Sequence, residues 1–201
     1  MQDDAACYAL KSECIVTHMA STLSTSELRR PIVVASALRT FAAGGYGGTT
    51  VADVAADAKI SPAYVFKLFP SKERLFVAAL DHCYEQIEEA LSMGADAASS
   101  TKPADILNAM GDAYAELIAD KTLLLIQVHA QSASAVPEIG TAQRRGLERL
   151  TRFAKTRSGA SDEEVQQFIA FGQLCHLIVT TGLDGSTDPW AQILTAGIRH
   201  V

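Results

Sequence analysis

From residue 28 onward, apolar residues recur every three or four positions, which is the spacing of one buried face of an α-helix. The first such face consists of Val34, Ala37, Leu38 and Phe41, and it ends before Gly44-Gly45. A pair of glycines at that point suits a left-handed helix cap. No segment shows the alternation of apolar and polar residues that a half-buried strand requires. The pattern therefore predicts an all-α fold.

Signals for new helices follow closely after this first one. Thr50 precedes a second helix as an N-cap, with Asp53 at the capping-box position. Ser61 is a further N-cap and is followed by proline, which favours the first helical turn. The second helix must therefore end by Lys59, and a short third helix is predicted over residues 62–68.

A long fourth helix is predicted after Ser71, which can cap its first turn. The stretch Met93–Lys102, rich in alanine, serine and glycine, is the best candidate for a domain boundary. Five more helices are predicted, at roughly 103–119, 121–135, 138–157, 162–182 and 189–199, and Ser161 with Glu164 forms a capping box that opens the fourth of them. The chain is thus divided into a tail (1–25), a first helical domain (26–93) and a second helical domain (94–201). Met19 is an alternative start, which would leave residues 1–18 outside the native protein.

The charge is unevenly distributed along the chain. The 201 residues are 48% hydrophobic and 20% charged, which is typical of a globular protein, and the net charge is −6. Between Ser26 and Leu80, however, seven lysines and arginines outnumber four acidic residues, whereas residues 81–201 carry a net charge of −7. No apolar run is long enough for a membrane span, and the N-terminus does not resemble a secretory signal. We therefore expect a cytoplasmic protein with no membrane partner, whose mildly basic first domain could face nucleic acid.

Two short helices joined by a tight turn form the pattern of a helix-turn-helix, here at about residues 50–69. The second helix of such a motif enters the major groove of DNA and exposes small or polar groups. The spacing predicts that Val65 and Phe69 face the core. The residues expected to face DNA, on this helix or at the flanking backbone contacts, are Thr49, Thr50, Ser61, Ala63, Tyr64, Lys67 and Lys72.

At these residues the chain resembles a known family. The matching segments are Ala37–Phe41, Gly45-Tyr46, Thr49–Ala55, Ile60-Ser61 and Phe66–Phe76. In this order and spacing, Arg30–Leu80 resembles the DNA-binding domain of the TetR family of transcriptional regulators, about a quarter of the chain. Two positions depart from the family pattern: Lys59 stands where glycine is usual, and Phe66 where tyrosine is usual.

The resemblance implies the rest of the architecture. Such proteins are all-helical homodimers, in which an N-terminal three-helix helix-turn-helix DNA-binding domain is followed by a helical ligand-binding and dimerisation domain. Their last two long helices, here within residues 162–199, form the dimer interface. A small molecule bound among the middle helices releases the DNA.

Residues of the effector pocket are predicted from polar or aromatic side chains on otherwise apolar helices. They are Tyr114, Gln127, His129, Gln131, Phe171, Gln173, Cys175 and Trp190. With so few polar anchors, the pocket favours a mainly hydrophobic ligand. Core packing of these side chains is an equally open interpretation.

The sequence-based hypothesis is a repressor that binds a pseudo-palindromic operator in double-stranded DNA as a homodimer and is released by an effector. One alternative is a small-molecule-binding helical protein without operator binding. A second is a regulator with a thiol redox sensor, because the chain has four cysteines, although they are far apart and lack metal-ligand spacing. No catalytic motif is present, and we expect neither an enzyme nor a metal or other cofactor.

Overall fold

The structure is a computed structural model, and it describes residues 25–198 of the chain. In this range it contains nine α-helices and one short 3-10 helix and no strand, so the predicted all-α fold is confirmed. The α-helices are α1 Thr25–Gly48, α2 Val51–Asp57, α3 Pro62–Leu68, α4 Lys72–Ala97, α5 Pro103–Leu117, α6 Thr122–Ser132, α7 Pro137–Ser158, α8 Asp162–Thr181 and α9 Pro189–Thr195; the 3-10 helix is Leu183–Gly185. None of the helices between residues 25 and 198 is long and apolar enough to cross a membrane.

Helix α1 bends sharply at Gly45 and continues for one more turn to Gly48. Gly45 has φ 69° and ψ 171°, a backbone conformation open almost only to glycine. A side chain at this position would also lie 3.1 Å from the ring of His129 on α6. The double glycine predicted to end the first helix therefore marks this bend, where α1 packs closely against α6.

The predicted N-caps are confirmed. Thr50 and Asp53 form a reciprocal capping box at the start of α2, and Ser61 accepts a hydrogen bond from the backbone of Tyr64 at the start of α3. Ser161 and Glu164 form a second capping box at the start of α8. Each cap satisfies backbone N–H groups that the first turn of a helix leaves without a partner.

Two predicted helices are shorter by four residues in the structure. The helix expected over 189–199 ends at Thr195, because Ala196 has extended backbone angles. The helix expected over 121–135 begins at Thr122, since Lys121 takes a left-handed conformation with φ 65°, and it ends at Ser132. The alternative start at Met19 concerns residues outside the described range.

Helix α4 connects the two halves of the molecule. It continues to Ala97, beyond the predicted boundary at residue 93, and packs against α1 as well as against α5, α6 and α7. The ring of Tyr84 on α4 lies close to Gly146 of α7. A methyl group added at Gly146 would be 2.0 Å from Cε2 of the tyrosine. A continuous core therefore extends from the first three helices into the second half of the chain.

Candidate functional site

Helix α3 presents one face to the core and the other to solvent. Val65 and Phe69 are buried, as the spacing predicted, whereas Ser61, Ala63 and Lys67 are exposed and Tyr64 is half-buried. The ammonium of Lys67 lies 6.0 Å from the centre of the Tyr64 ring. The outward side chains of α3 and its N-cap thus form one surface of small, aromatic and cationic groups. The helix that carries them is short enough to enter a major groove.

Arg30 holds the end of α3 against α1, a role that sequence reasoning missed. Its guanidinium donates a hydrogen bond to the backbone carbonyl of Leu68 at 2.9 Å. The same group lies 4.2 Å from the centre of the Phe69 ring, which allows a cation–π contact. The carbonyl groups in the last turn of a helix lack helical partners, so this arginine both satisfies one of them and orients the helix.

The turn between α2 and α3 depends on Lys59. This residue adopts φ 55°, so it takes the left-handed conformation for which glycine is better suited. Its backbone N–H donates to Ala56, and that of Ile60 donates to Ala55. The departure from the family pattern therefore leaves the turn geometry intact and replaces glycine with a strained, exposed lysine.

The two threonines before α2 have different surroundings. Thr50 is exposed, and its hydroxyl both accepts from the Asp53 N–H and lies 2.7 Å from the Asp53 carboxylate. Thr49 is only 3% exposed; its hydroxyl donates to the carbonyl of Thr40 and its N–H to Gly45. The expectation that Thr49 offers a hydroxyl to DNA is therefore corrected: this residue fastens the α1–α2 connection from inside.

Lys72 at the start of α4 lies beside an aromatic and an acidic group. Its ammonium is 4.6 Å from the centre of the Tyr46 ring, and the Tyr46 hydroxyl donates to Glu73 at 2.6 Å. Burial, helped by this hydrogen bond, raises the pKa of Tyr46 to about 12, and the same bond lowers the pKa of Glu73. The tyrosine therefore stays protonated and keeps the start of α4 attached to the last turn of α1.

Phe66 is 49% exposed on α3, although it is a large apolar side chain. The family pattern has tyrosine here, and the structure confirms that the position faces outward. A phenyl ring cannot donate to a phosphate oxygen. Any polar contact from this part of α3 must therefore come from its neighbours Tyr64 and Lys67.

A cavity of about 420 Å³ lies in the second half of the molecule and is lined by residues of α4 to α8 and by residues 196–198. Most of its wall is apolar, including Ile87 and Leu91 of α4, Leu150 of α7 and Phe168 of α8. Its volume and lining are typical of a site for a small, mainly hydrophobic molecule.

A chain of neutral polar groups borders this cavity. The hydroxyl of Tyr114 lies 2.8 Å from Nε2 of His176 and accepts a hydrogen bond from Gln127 at 3.2 Å. Burial lowers the pKa of His176 from 6.5 to about 4. The imidazole is therefore uncharged near neutral pH, and these groups offer hydrogen bonds without net charge.

Five of the eight predicted pocket residues line the cavity, namely Tyr114, Gln127, Phe171, Gln173 and Cys175. The other three do not. His129 points to α1, with Nε2 3.2 Å from the carbonyl of Ala42. Gln131 donates to Gln173 at 2.6 Å, and Trp190 is 57% exposed. Whether the five contact a ligand stays a prediction, but helix packing directs the other three elsewhere.

Sequence reasoning missed two polar residues of the cavity wall, Asn108 and Asp112 on α5. They lie one helical turn apart, beside the cavity-lining Leu107 and Gly111. An acidic residue on a helix is usually a solvated surface charge, which is why Asp112 received no role. Its position next to an apolar stripe was the sequence signal by which Asp112 could have been identified.

Cys83 and Cys175 are the cysteines within the described range, and both are buried. Burial raises the pKa of each thiol, so little reactive thiolate is present near neutral pH. Between residues 25 and 198, no group of three or more histidine, cysteine or acidic side chains is placed to hold a metal ion.

In comparisons with known proteins, the first helices match a family model. Residues 33–79 match the family model described as "Bacterial regulatory proteins, tetR family". A segment of 58 residues, 29% of the chain, is 34% identical to the uncharacterized HTH-type transcriptional regulator YuxN of Bacillus subtilis, and this match spans only 20% of that relative.

Solved structures share the fold across most of the chain. A TetR-family regulator from Agrobacterium tumefaciens has a TM-score of 0.66 at 17% identity, covering 87% of this chain and 96% of that one. FadR from Bacillus subtilis, solved with stearoyl-CoA, has a TM-score of 0.63 at 15% identity, with 84% and 98% covered. The multidrug binding protein EbrR, solved with imidazole, has a TM-score of 0.62 at 18% identity, with 90% and 96% covered.

Proposed function

Residues 33–79 match the tetR family of bacterial regulatory proteins, and from that premise we propose that the protein is a transcriptional repressor controlled by a small molecule. The observation that carries the proposal is the outward surface of α3, where Tyr64 and Lys67 project from a capped helix fixed to α1 by Arg30. A regulator of this kind would act in the cytoplasm.

On DNA, α3 of each subunit would enter a major groove, with half-site centres roughly 34–36 Å apart. Tyr64 and Lys67 would contact base edges, with the exposed Ala63 beside them. Thr50, Ser61 and Lys72 would contact the flanking phosphates from two helix starts. The net charge of +3 between Ser26 and Leu80 supports this orientation over one in which the acidic second half faces DNA.

The operator would be pseudo-palindromic because the protein would act as a homodimer. Support comes from exposed apolar side chains on and after α8: Leu177, Trp190 and Ile193 are 49%, 57% and 76% exposed. Large apolar side chains that stay exposed on successive helices support an interface at this end of the chain. Light scattering after size exclusion tests this step, and Ile193→Glu should shift the protein toward the monomer.

The cavity among α4 to α8 would hold the effector. Proteins with this fold have been solved with stearoyl-CoA and with imidazole, which supports the presence of a small-molecule site in this chain. An effector releases DNA only to the extent that it binds the non-binding arrangement of the two α3 helices more tightly. The close packing of α6 on the Gly45 bend gives the cavity half a direct contact with the DNA-binding half.

The deciding experiment is fluorescence anisotropy of the purified protein with labelled DNA from its own upstream region. Titrations at two salt concentrations, with scrambled duplex as competitor, separate specific from phosphate-driven binding. A repressor should keep its complex in the presence of scrambled DNA. If binding to every duplex tested, including those recovered by genome-wide selection, equals binding to scrambled DNA, the proposal fails and the ligand-binding protein without an operator takes its place. The thiol-sensor alternative is disfavoured by the burial of Cys83 and Cys175.

A further inference from the structure

Several glycines inside the helices are required by close packing. A methyl group added at Gly94 or Gly140 would lie 2.5 or 2.4 Å from a backbone carbonyl oxygen, and one added at Gly146 would lie 2.0 Å from the Tyr84 ring. Neighbouring segments therefore leave no room for a side chain at these three positions. Their choice of glycine follows from the packing of the fold itself.

Gly111 and Gly172 differ from these three. They lie in the interiors of α5 and α8, and both line the cavity. A methyl group at Gly111 would make one ordinary contact, 3.8 Å from the Phe168 ring, and one at Gly172 would meet nothing within 4 Å. Neither residue has a positive φ, and each stabilises its helix less than alanine would. What glycine offers at these two positions is access of a bound molecule to the helix backbone.

The open space over Gly172 lies between two contacts of α8 with α5. Phe168, Gly172 and His176 are each one helical turn apart and therefore share a face of α8. The Phe168 ring approaches α5 at Gly111, and Nε2 of His176 lies 2.8 Å from the Tyr114 hydroxyl on α5. Because the two helices are held together on both sides of Gly172, the width of the gap over this residue is limited.

The walls of this gap are small or aromatic. On α5, Gly111 and Ala115 are one turn apart, and both line the cavity. The rings of Tyr114, Phe168 and Phe171 belong to the same lining. Bare backbone beside aromatic rings makes more close contacts with a flat ring than with a saturated one, because a saturated ring carries hydrogens above and below its plane.

We propose that the effector contains a flat aromatic ring system, which lies in the gap between α5 and α8 against the backbone of Gly111 and Gly172. This inference rests on the proposed role of the cavity as the effector site, and it names the chemical class of the molecule. The two glycines are then specificity-determining residues, since a side chain at either position would occupy the space of the ring.

Calorimetric titration of the full chain without DNA compares β-naphthol with its saturated analogue, decahydro-β-naphthol. The two probes share a carbon skeleton and a hydroxyl group and are uncharged near neutral pH, but only β-naphthol is flat. It should bind at least about 10-fold more tightly, which is the discrimination that an apolar pocket reaches for a small difference in shape. Gly111→Ala and Gly172→Ala should each weaken β-naphthol binding about 10-fold, the effect of one methyl group in the space of the ligand.

Urea unfolding separates this effect from a loss of structure. Both variants should be at least as stable as the native sequence, because neither methyl group meets a crowded neighbour and alanine favours the helix. Gly47→Ala is the matched control, since this glycine also lies in a helix with open space around it but does not line the cavity. It should leave β-naphthol binding unchanged.

Equal affinity for the two probes overturns the inference, and so does the absence of binding of both. Full β-naphthol affinity in Gly111→Ala and Gly172→Ala overturns it as well, because the ring then lies elsewhere. Since DNA is absent, none of these results depends on operator binding, and a failure of the repressor proposal would be seen separately by anisotropy.

Discussion

The guanidinium of Arg30 donates to the carbonyl of Leu68 at 2.9 Å and so joins the start of α1 to the end of α3. We expect Arg30→Ala to lower the free energy of unfolding by about 1–2 kcal/mol, from one charged hydrogen bond and one cation–π contact. Arg30→Ala also removes one positive charge, but DNA affinity should fall by more than that loss explains, because α3 loses its orientation. Arg29→Ala, which removes the same charge from the exposed neighbouring residue, is the control in urea unfolding and anisotropy. Equal effects of the two variants would contradict the anchoring role.

Lys67 and Tyr64 should affect DNA binding in different ways. Lys67→Ala should weaken binding to all sequences and reduce the salt slope by about one per subunit if the lysine contacts a phosphate. Tyr64→Ala should also change which operator bases are preferred. Anisotropy with a set of single-base operator variants measures both effects. Lys102→Ala, an exposed lysine outside the N-terminal domain, should leave affinity unchanged; unchanged affinity in the first two variants would remove α3 from the interface.

Lys59→Gly should stabilise the protein. Lys59 has φ 55°, and a left-handed conformation costs a residue with a side chain roughly 1–2 kcal/mol relative to glycine. We expect a gain of about 1 kcal/mol in urea unfolding, since glycine removes this strain. Lys59→Ala removes the same charged side chain and keeps the strain, so it should bring no gain. A gain of the same size in both variants would locate the effect in the charge instead.

Gly146→Ala should destabilise the fold strongly. The new methyl group would lie 2.0 Å from Cε2 of Tyr84, so α4 and α7 must separate or the ring must move. Overpacking of this kind costs about 3 kcal/mol. Gly172→Ala on α8 meets nothing within 4 Å and should instead gain about 0.5–1 kcal/mol through helix propensity. Denaturant unfolding of the two variants measures the expected loss and the expected gain in the free energy of unfolding. Equal stability of the two variants would contradict the α4–α7 packing.

Acid should destabilise the native state through His176. Its pKa is lowered from 6.5 to about 4 by burial, so below the unfolded value the unfolded chain takes up a proton that the folded chain refuses. The stability present above pH 6.5 is therefore lost as the pH falls toward 4. At about pH 5 this residue lowers the free energy of unfolding by about 2 kcal/mol. Urea unfolding at pH 7.5 and 5 should show a smaller loss in His176→Gln than in the native sequence; an identical loss would mean that the imidazole is already protonated in the folded state.

Local chemistry was sufficient to predict the helices and their starts. Thr50, Ser61 and Ser161 are bound to the backbone groups of their own first turns, and such contacts between near neighbours do not depend on the rest of the fold. The same holds for the core face of α3, because a spacing of four residues places Val65 and Phe69 on one side. The family resemblance of Arg30–Leu80 rests on these local features.

What each side chain meets across the molecule was decided only by tertiary packing. His129 was expected in the pocket and instead contacts Ala42 on α1, and Thr49 was expected at DNA and is buried. Asp112 was not expected at a pocket and lines the cavity. Periodicity identifies the apolar side of a helix but not the partner that covers it, because that partner comes from residues far away in the chain. The sequence by itself therefore determined the helices and the motif, whereas the contacts among α4 to α8 determined the cavity and the residues that line it.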